Sequence, residues 1–134
     1  MILKKKKIML KNNELRIGNL VKWYDVSKVL ELHSEKNKFD NVYIECEESF
    51  EWTEYNKLEP IPLTEKWLLK FRFEKSKRFE LGELKPCYVI FSLAVMIRHN
   101  SFFVDWIGGN TELKYVHQLQ NLYFALTGAE LTVV

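Results

Sequence analysis

A chain of 134 residues with 47% hydrophobic and 14% aromatic content has enough apolar surface to build a core without metals or disulfides. Its net charge of +2 is unevenly spread: Lys4, Lys5, Lys6, Lys7 and Lys11 precede any acidic residue, and residues 12–134 hold 15 basic against 18 acidic groups. A mildly acidic body argues against a broad duplex-DNA surface, which needs Lys and Arg clustered on the fold itself.

Cys46 and Cys87 lack metal-ligand spacing and read as reduced thiols. The start, Met1-Ile2-Leu3 followed by four lysines, has no apolar run of a secretory signal. The longest apolar run, residues 87–97, falls well short of the roughly 20 residues a membrane helix requires. The expectation is a soluble cytoplasmic protein.

Residues 1–12 form a basic N-terminal arm. Leu15, Ile17 and Val21 alternate around a bend at Gly18-Asn19, and Val29, Leu30 and Leu32 continue an extended region. Residues 34–40 are polar and turn-like. Val42, Ile44 and Cys46 share one face of a strand, and Phe50, Trp52 and Tyr55 add a further short extended piece. Several short strands with turns between them predict a small SH3-like β-barrel over residues 13–63.

Pro60 and Pro62 lack backbone donors and stop strand pairing. Thr64 can cap a helix, with Leu63 and Leu68 as a hydrophobic staple, and Trp67, Leu68 and Phe71 supply one apolar face. This short helix is expected to cover an open end of the barrel. Residues 73–85 are charged and turn-rich, with Gly82 marking a hairpin. Residues 88–97 read as one buried strand and residues 101–107 as another, with a turn at Gly108-Gly109-Asn110. Residues 113–115 finish that hairpin. Over residues 116–127, Val116, Leu119, Leu122 or Tyr123, and Leu126 form a helical stripe that leaves His117, Gln118, Gln120 and Asn121 largely elsewhere. Gly128 stands at the left-handed C-cap. The prediction is an α+β chain: basic arm 1–12, barrel-like half 13–63, and an α+β half 64–134 packed on it as a single compact unit. That second half has a short capped helix, a β-hairpin or sheet, and a C-terminal amphipathic helix.

Chemistry-bearing patterns are sparse. His33, His99 and His117 form no ligand-spaced pair, and the serines lack a nucleophile-elbow glycine frame. Gly108-Gly109 lacks the strand–loop–helix setting of a phosphate loop. Cys46 would be a nucleophile only with a base beside it in space. Glu45, Glu47, Glu48, Glu51 and Glu54 cluster without a calcium-loop pattern, and read as a solvated face able to repel nucleic acid or meet a basic partner. Lys4, Lys5, Lys6 and Lys7 are candidate phosphate contacts. Trp23, Tyr24, Trp52 and Tyr55 are the aromatics least explained by a core pattern, and with His117 they are the candidate binding residues.

Leu15-Arg16-Ile17-Gly18-Asn19, then Leu58-Glu59-Pro60-Ile61-Pro62-Leu63-Thr64-Glu65-Lys66-Trp67-Leu68-Leu69-Lys70-Phe71, then Tyr115-Val116-His117-Gln118-Leu119-Gln120-Asn121-Leu122-Tyr123-Phe124-Ala125-Leu126-Thr127-Gly128 carry a resemblance. It is to a family of small uncharacterised proteins of Bacteroidetes genomes and their prophages, over most of residues 14–132. The resemblance implies a phage or mobile-element setting and no agreed activity. It departs at Arg72, where the family often has Gly; Arg72 implies a different helix exit, or strain.

The preferred expectation is therefore a non-enzymatic binding or regulatory protein of phage or mobile-element origin acting on a protein partner, with no cofactor, no metal and no membrane. The alternative is a nucleic-acid or nucleotide-binding small barrel, including one that sequesters a nucleotide signal. A monomer and a homodimer both fit.

Overall fold

Alternating stretches in both halves and capped helical stretches in the second produce nine strands and two α-helices among the described residues of the computed structural model. It describes residue 10 and residues 14–32, 42–80, 82–91, 93–106 and 109–133. The chain divides into two compact units, residues 1–61 and 62–134. The class is α+β with a predominance of antiparallel sheet. No helix among the described residues is long and apolar enough to cross a membrane.

In the first unit, β1 (Leu20–Trp23), β2 (Asp25–Leu32), β3 (Val42–Glu45) and β4 (Phe50–Thr53) form an antiparallel meander in the order β1-β2-β3-β4. The predicted opening strand starts later than its apolar pattern implies. Gly18 takes φ 98°, and Asn19, fully buried, accepts the Arg16 N–H through its Oδ1 at 2.7 Å. That local turn leaves Ile17 exposed. Val21, Val29, Val42, Ile44 and Leu58 pack inward with Leu10 and Leu15. A bulge between Val29 and Glu31 absorbs Leu30 and sharpens the bend of β2.

After β4 a single 3-10 turn, Tyr55–Lys57, returns the chain to β1. There Lys22 and Glu59 exchange N–H···O bonds of 2.8 and 2.9 Å. The predicted closed barrel is not present among the described residues, because β1 and β4 do not pair. Closure requires strands long enough to coil and stagger, and β1, β3 and β4 have four residues each.

In the second unit, helix α1 (Glu65–Lys70) begins where expected. Thr64 Oγ1 accepts the Trp67 N–H at 3.4 Å, and the staple residues Leu63 and Leu68 are both buried. The exit of α1 answers the question posed by Arg72, which adopts φ 69°. Phe73 N–H donates to the Leu68 carbonyl and Arg72 N–H to the Leu69 carbonyl, both at 3.0 Å. These paired bonds close the helix through a left-handed residue, and Leu68 and Phe73 are both buried behind it.

Strands β5 (Glu74–Glu80), β6 (Glu83–Ile90), β7 (Leu93–Arg98), β8 (Ser101–Trp106) and β9 (Gly109–Leu113) form a second meander in that order. The apolar run 88–97 is two strands, not one: the chain reverses at Phe91, with φ 50°, so that Ile90 pairs with Leu93. His99 and Asn100, with φ 50° and 63°, are the two central residues of the next tight hairpin. The predicted turn at Gly108-Gly109-Asn110 gives way to pairing, since Gly109 and Asn110 already belong to β9; Gly108 lies outside the described residues.

Helix α2 (Val116–Thr127) ends at Gly128 with φ 72°, as its sequence predicts. Gln118 Oε1 accepts the N–H groups of Lys114 and Tyr115 at 2.8 and 3.1 Å, tying down the helix start. Its buried face is rotated from the predicted stripe. His117 and Gln120 join Val116, Leu119 and Tyr123 inside, while Leu126 is exposed. Two polar side chains thus sit where apolar periodicity alone placed none.

Candidate functional site

Two groups of aromatic side chains on the first unit reach solvent, and each is built by strand register. On β3, Val42 and Ile44 point inward, which turns Tyr43 and Glu45 outward. Antiparallel pairing sets Tyr43 opposite Trp52 and Glu45 opposite Phe50. Tyr43 and Trp52 lie 4.8 Å apart between ring centroids at 35°, and Tyr43 and Phe50 lie 6.1 Å apart, stacked at 20°. Phe50 and Trp52 nevertheless keep 58% and 42% of their surface exposed. Direct and diagonal neighbours across a strand pair make such contacts at little ordering cost.

Residues 42–56, which carry this ladder, contain Glu45, Glu47, Glu48, Glu51 and Glu54 and no Lys or Arg. Of these, Glu45 shares the ladder's side of the sheet and Glu51, opposite Ile44, lies on the other, so it is the segment as a whole that is aromatic and anionic together. Aromatic rings attract cations at their faces, and the carboxylates add a field of the same sense.

The second group is the turn between β1 and β2. Tyr24 is 84% exposed and sits at φ 60°, a left-handed conformation that costs a non-glycine residue about 1–3 kcal/mol. Trp23, half-buried against the core, meets the Tyr24 ring edge-on at 4.8 Å and 71°. Beside them lies a cleft of about 360 Å³ lined by Lys22, Trp23, Tyr24, Lys57 and Glu59.

The sequence-predicted binding residues fall in different places. Trp52 joins the ladder, and Trp23 and Tyr24 border the cleft. Tyr55 packs on the first core, where burial pushes its phenol upward. His117 is only 1% exposed and stacks on Tyr115 at 5.8 Å and 10°, so it offers no surface to a partner. Lys4, Lys5, Lys6 and Lys7 lie outside the described residues.

Sequence reasoning missed Tyr43 and Phe50, although the outward phase of β3 was the signal that pointed to Tyr43. Lys22, Lys57 and Glu59 carry no such signal, because the return of Glu59 to Lys22 is a tertiary event.

The Cys46 thiol has the Ser27 hydroxyl beside it at 3.7 Å, and a hydroxyl is no base at neutral pH. Among the described residues, no group of three or more His, Cys, Asp or Glu is placed to hold a metal ion. No protein-family model matches this chain, nor does any curated protein or solved structure.

Proposed function

We propose that the protein is a non-enzymatic binding module of phage or mobile-element origin, which holds a protein partner on the aromatic face of its first sheet. The observation that carries this reading is the Phe50–Tyr43–Trp52 ladder: three rings packed on one another and still open to solvent. Rigid aromatic side chains of this kind dominate the energetics of protein recognition. The five glutamates of residues 42–56 set the character of the partner, a segment rich in Lys and Arg.

The first unit supports a finer reading as well. A four-stranded meander, a 3-10 turn after its last strand and the return of Glu59 to β1 support reading this unit as an open, SH3-like arrangement rather than a closed barrel. The resemblance of the sequence to a phage-associated family supplies the setting.

The experiment is a titration with a short Lys/Arg-rich peptide, followed by backbone chemical shifts. Residues of β3 and β4 are expected to shift, and Trp52→Ala and Phe50→Ala to remove the response. Equal binding by those variants, or equal binding of an acidic peptide, would show the reading to be wrong.

A further inference from the structure

We infer that the cleft beside the Trp23–Tyr24 turn is a binding site for a free mononucleotide, with the base on the Tyr24 ring and the phosphate between Lys22 and Lys57. The cleft shares no residue with the β3–β4 ladder, so the inference stands or falls independently of the protein-partner reading.

About 360 Å³ lies at the small end of ligand clefts, which run from roughly 300 to 1,000 Å³. It suits a mononucleotide and leaves little room for a dinucleotide.

The lining supplies the three chemistries that a nucleotide presents. Tyr24 offers a flat, exposed ring, held in place by its edge contact with Trp23. A turn of left-handed φ is made with less strain by Gly, Asn or Asp, so the turn itself gives no reason for a tyrosine. Stacking on a base does give one, since every base has a face to lay on it.

Lys22 and Lys57 supply the positive charge. Neither ammonium lies within ion-pair distance of a carboxylate among the described residues, which leaves both available to phosphate oxygens. Their backbones are fixed: Lys22 is bonded on both sides of its peptide to Glu59, and Lys57 closes the 3-10 turn. Glu59 is the acceptor of the set, suited to a ribose hydroxyl or an exocyclic amine.

The five glutamates of residues 42–56 oppose a long polyanion, whereas a mononucleotide places its charge only in the cleft.

The test uses the full chain, titrated calorimetrically with the mono- and diphosphates of adenosine, guanosine, cytidine and uridine. Parallel titrations use the nucleosides, inorganic phosphate and a single-stranded oligonucleotide. At least one nucleotide is expected to bind saturably, more weakly as salt is raised, and about tenfold or more tighter than its nucleoside or inorganic phosphate. Tyr24→Asn removes the ring while suiting the left-handed backbone, and Lys57→Ala removes an exposed cation. Each is expected to weaken binding about tenfold or more with the circular dichroism spectrum unchanged, whereas Lys66→Ala, on α1, leaves binding as it was. Absence of nucleotide binding at millimolar concentration would overturn the inference. So would affinity untouched by Tyr24→Asn and Lys57→Ala, phosphate binding as tightly as the nucleotide, or binding of the oligonucleotide alone.

Discussion

Tyr43 and Trp52 stand directly opposite each other across the β3–β4 pair, their ring centroids 4.8 Å apart, on the solvent side of the sheet. An exposed aromatic pair adds about 0.5–1.5 kcal/mol beyond its area burial. A double-mutant cycle of Tyr43→Ala and Trp52→Ala, read by chemical denaturation, is therefore expected to give a coupling in that range. A coupling of zero would mean that the rings move apart in solution and that the ladder is no preformed surface.

The exit of α1 offers a stabilising substitution. Arg72 holds φ 69° at the position where the helix closes through its paired backbone bonds. A side chain in that conformation costs about 1–2 kcal/mol, and glycine escapes it at some expense in unfolded-chain entropy. Arg72→Gly is expected to raise stability by about 0.5–1 kcal/mol. An unchanged or lower denaturation midpoint would indicate that the arginine makes a compensating contact.

Gly128 predicts the opposite outcome by the same physics. It has φ 72°, donates its N–H to the Phe124 carbonyl at 2.8 Å, and has nothing within 4 Å of where a Cβ would stand. The cost of Gly128→Ala is thus conformational alone, about 1 kcal/mol. A loss several times larger would reveal steric crowding that this geometry does not contain.

Alkaline titration isolates one buried phenol. Burial first, and the nearby Glu65 carboxylate second, push Tyr88 up to about 12 from 10.0. Its hydroxyl is buried without a well-formed hydrogen bond, and the nearby Glu65 carboxylate disfavours the phenolate. Between these values the unfolded chain has released a proton that the folded chain still holds, so stability falls as pH rises through that window. Below it both states are protonated, and Tyr88 adds no pH dependence. Tyr88→Phe is expected to lose this alkaline drop while keeping its stability near neutral pH, because the hydroxyl it removes is buried without a partner. Denaturation curves at neutral and alkaline pH, with tyrosinate absorbance, decide the matter.

Local signals determined much of this protein from its residues alone. Thr64 and Leu63 start α1, Gly128 ends α2, and the alternation of Val42 and Ile44 phases β3, because caps and periodicity act over a few neighbouring residues. Non-local pairing decided the rest. The apolar run 88–97 reads as one strand from its continuous apolar character, and only the register of Ile90 with Leu93 folds it back into two. His117 and Gln120 turned inward because the neighbours of α2, not its own period, set which face is covered. The cleft has the same origin: Lys22, Tyr24, Lys57 and Glu59 come together only when the chain returns to β1 after the 3-10 turn. That contact links residues more than thirty positions apart, a separation over which no pattern of adjacent side chains carries information.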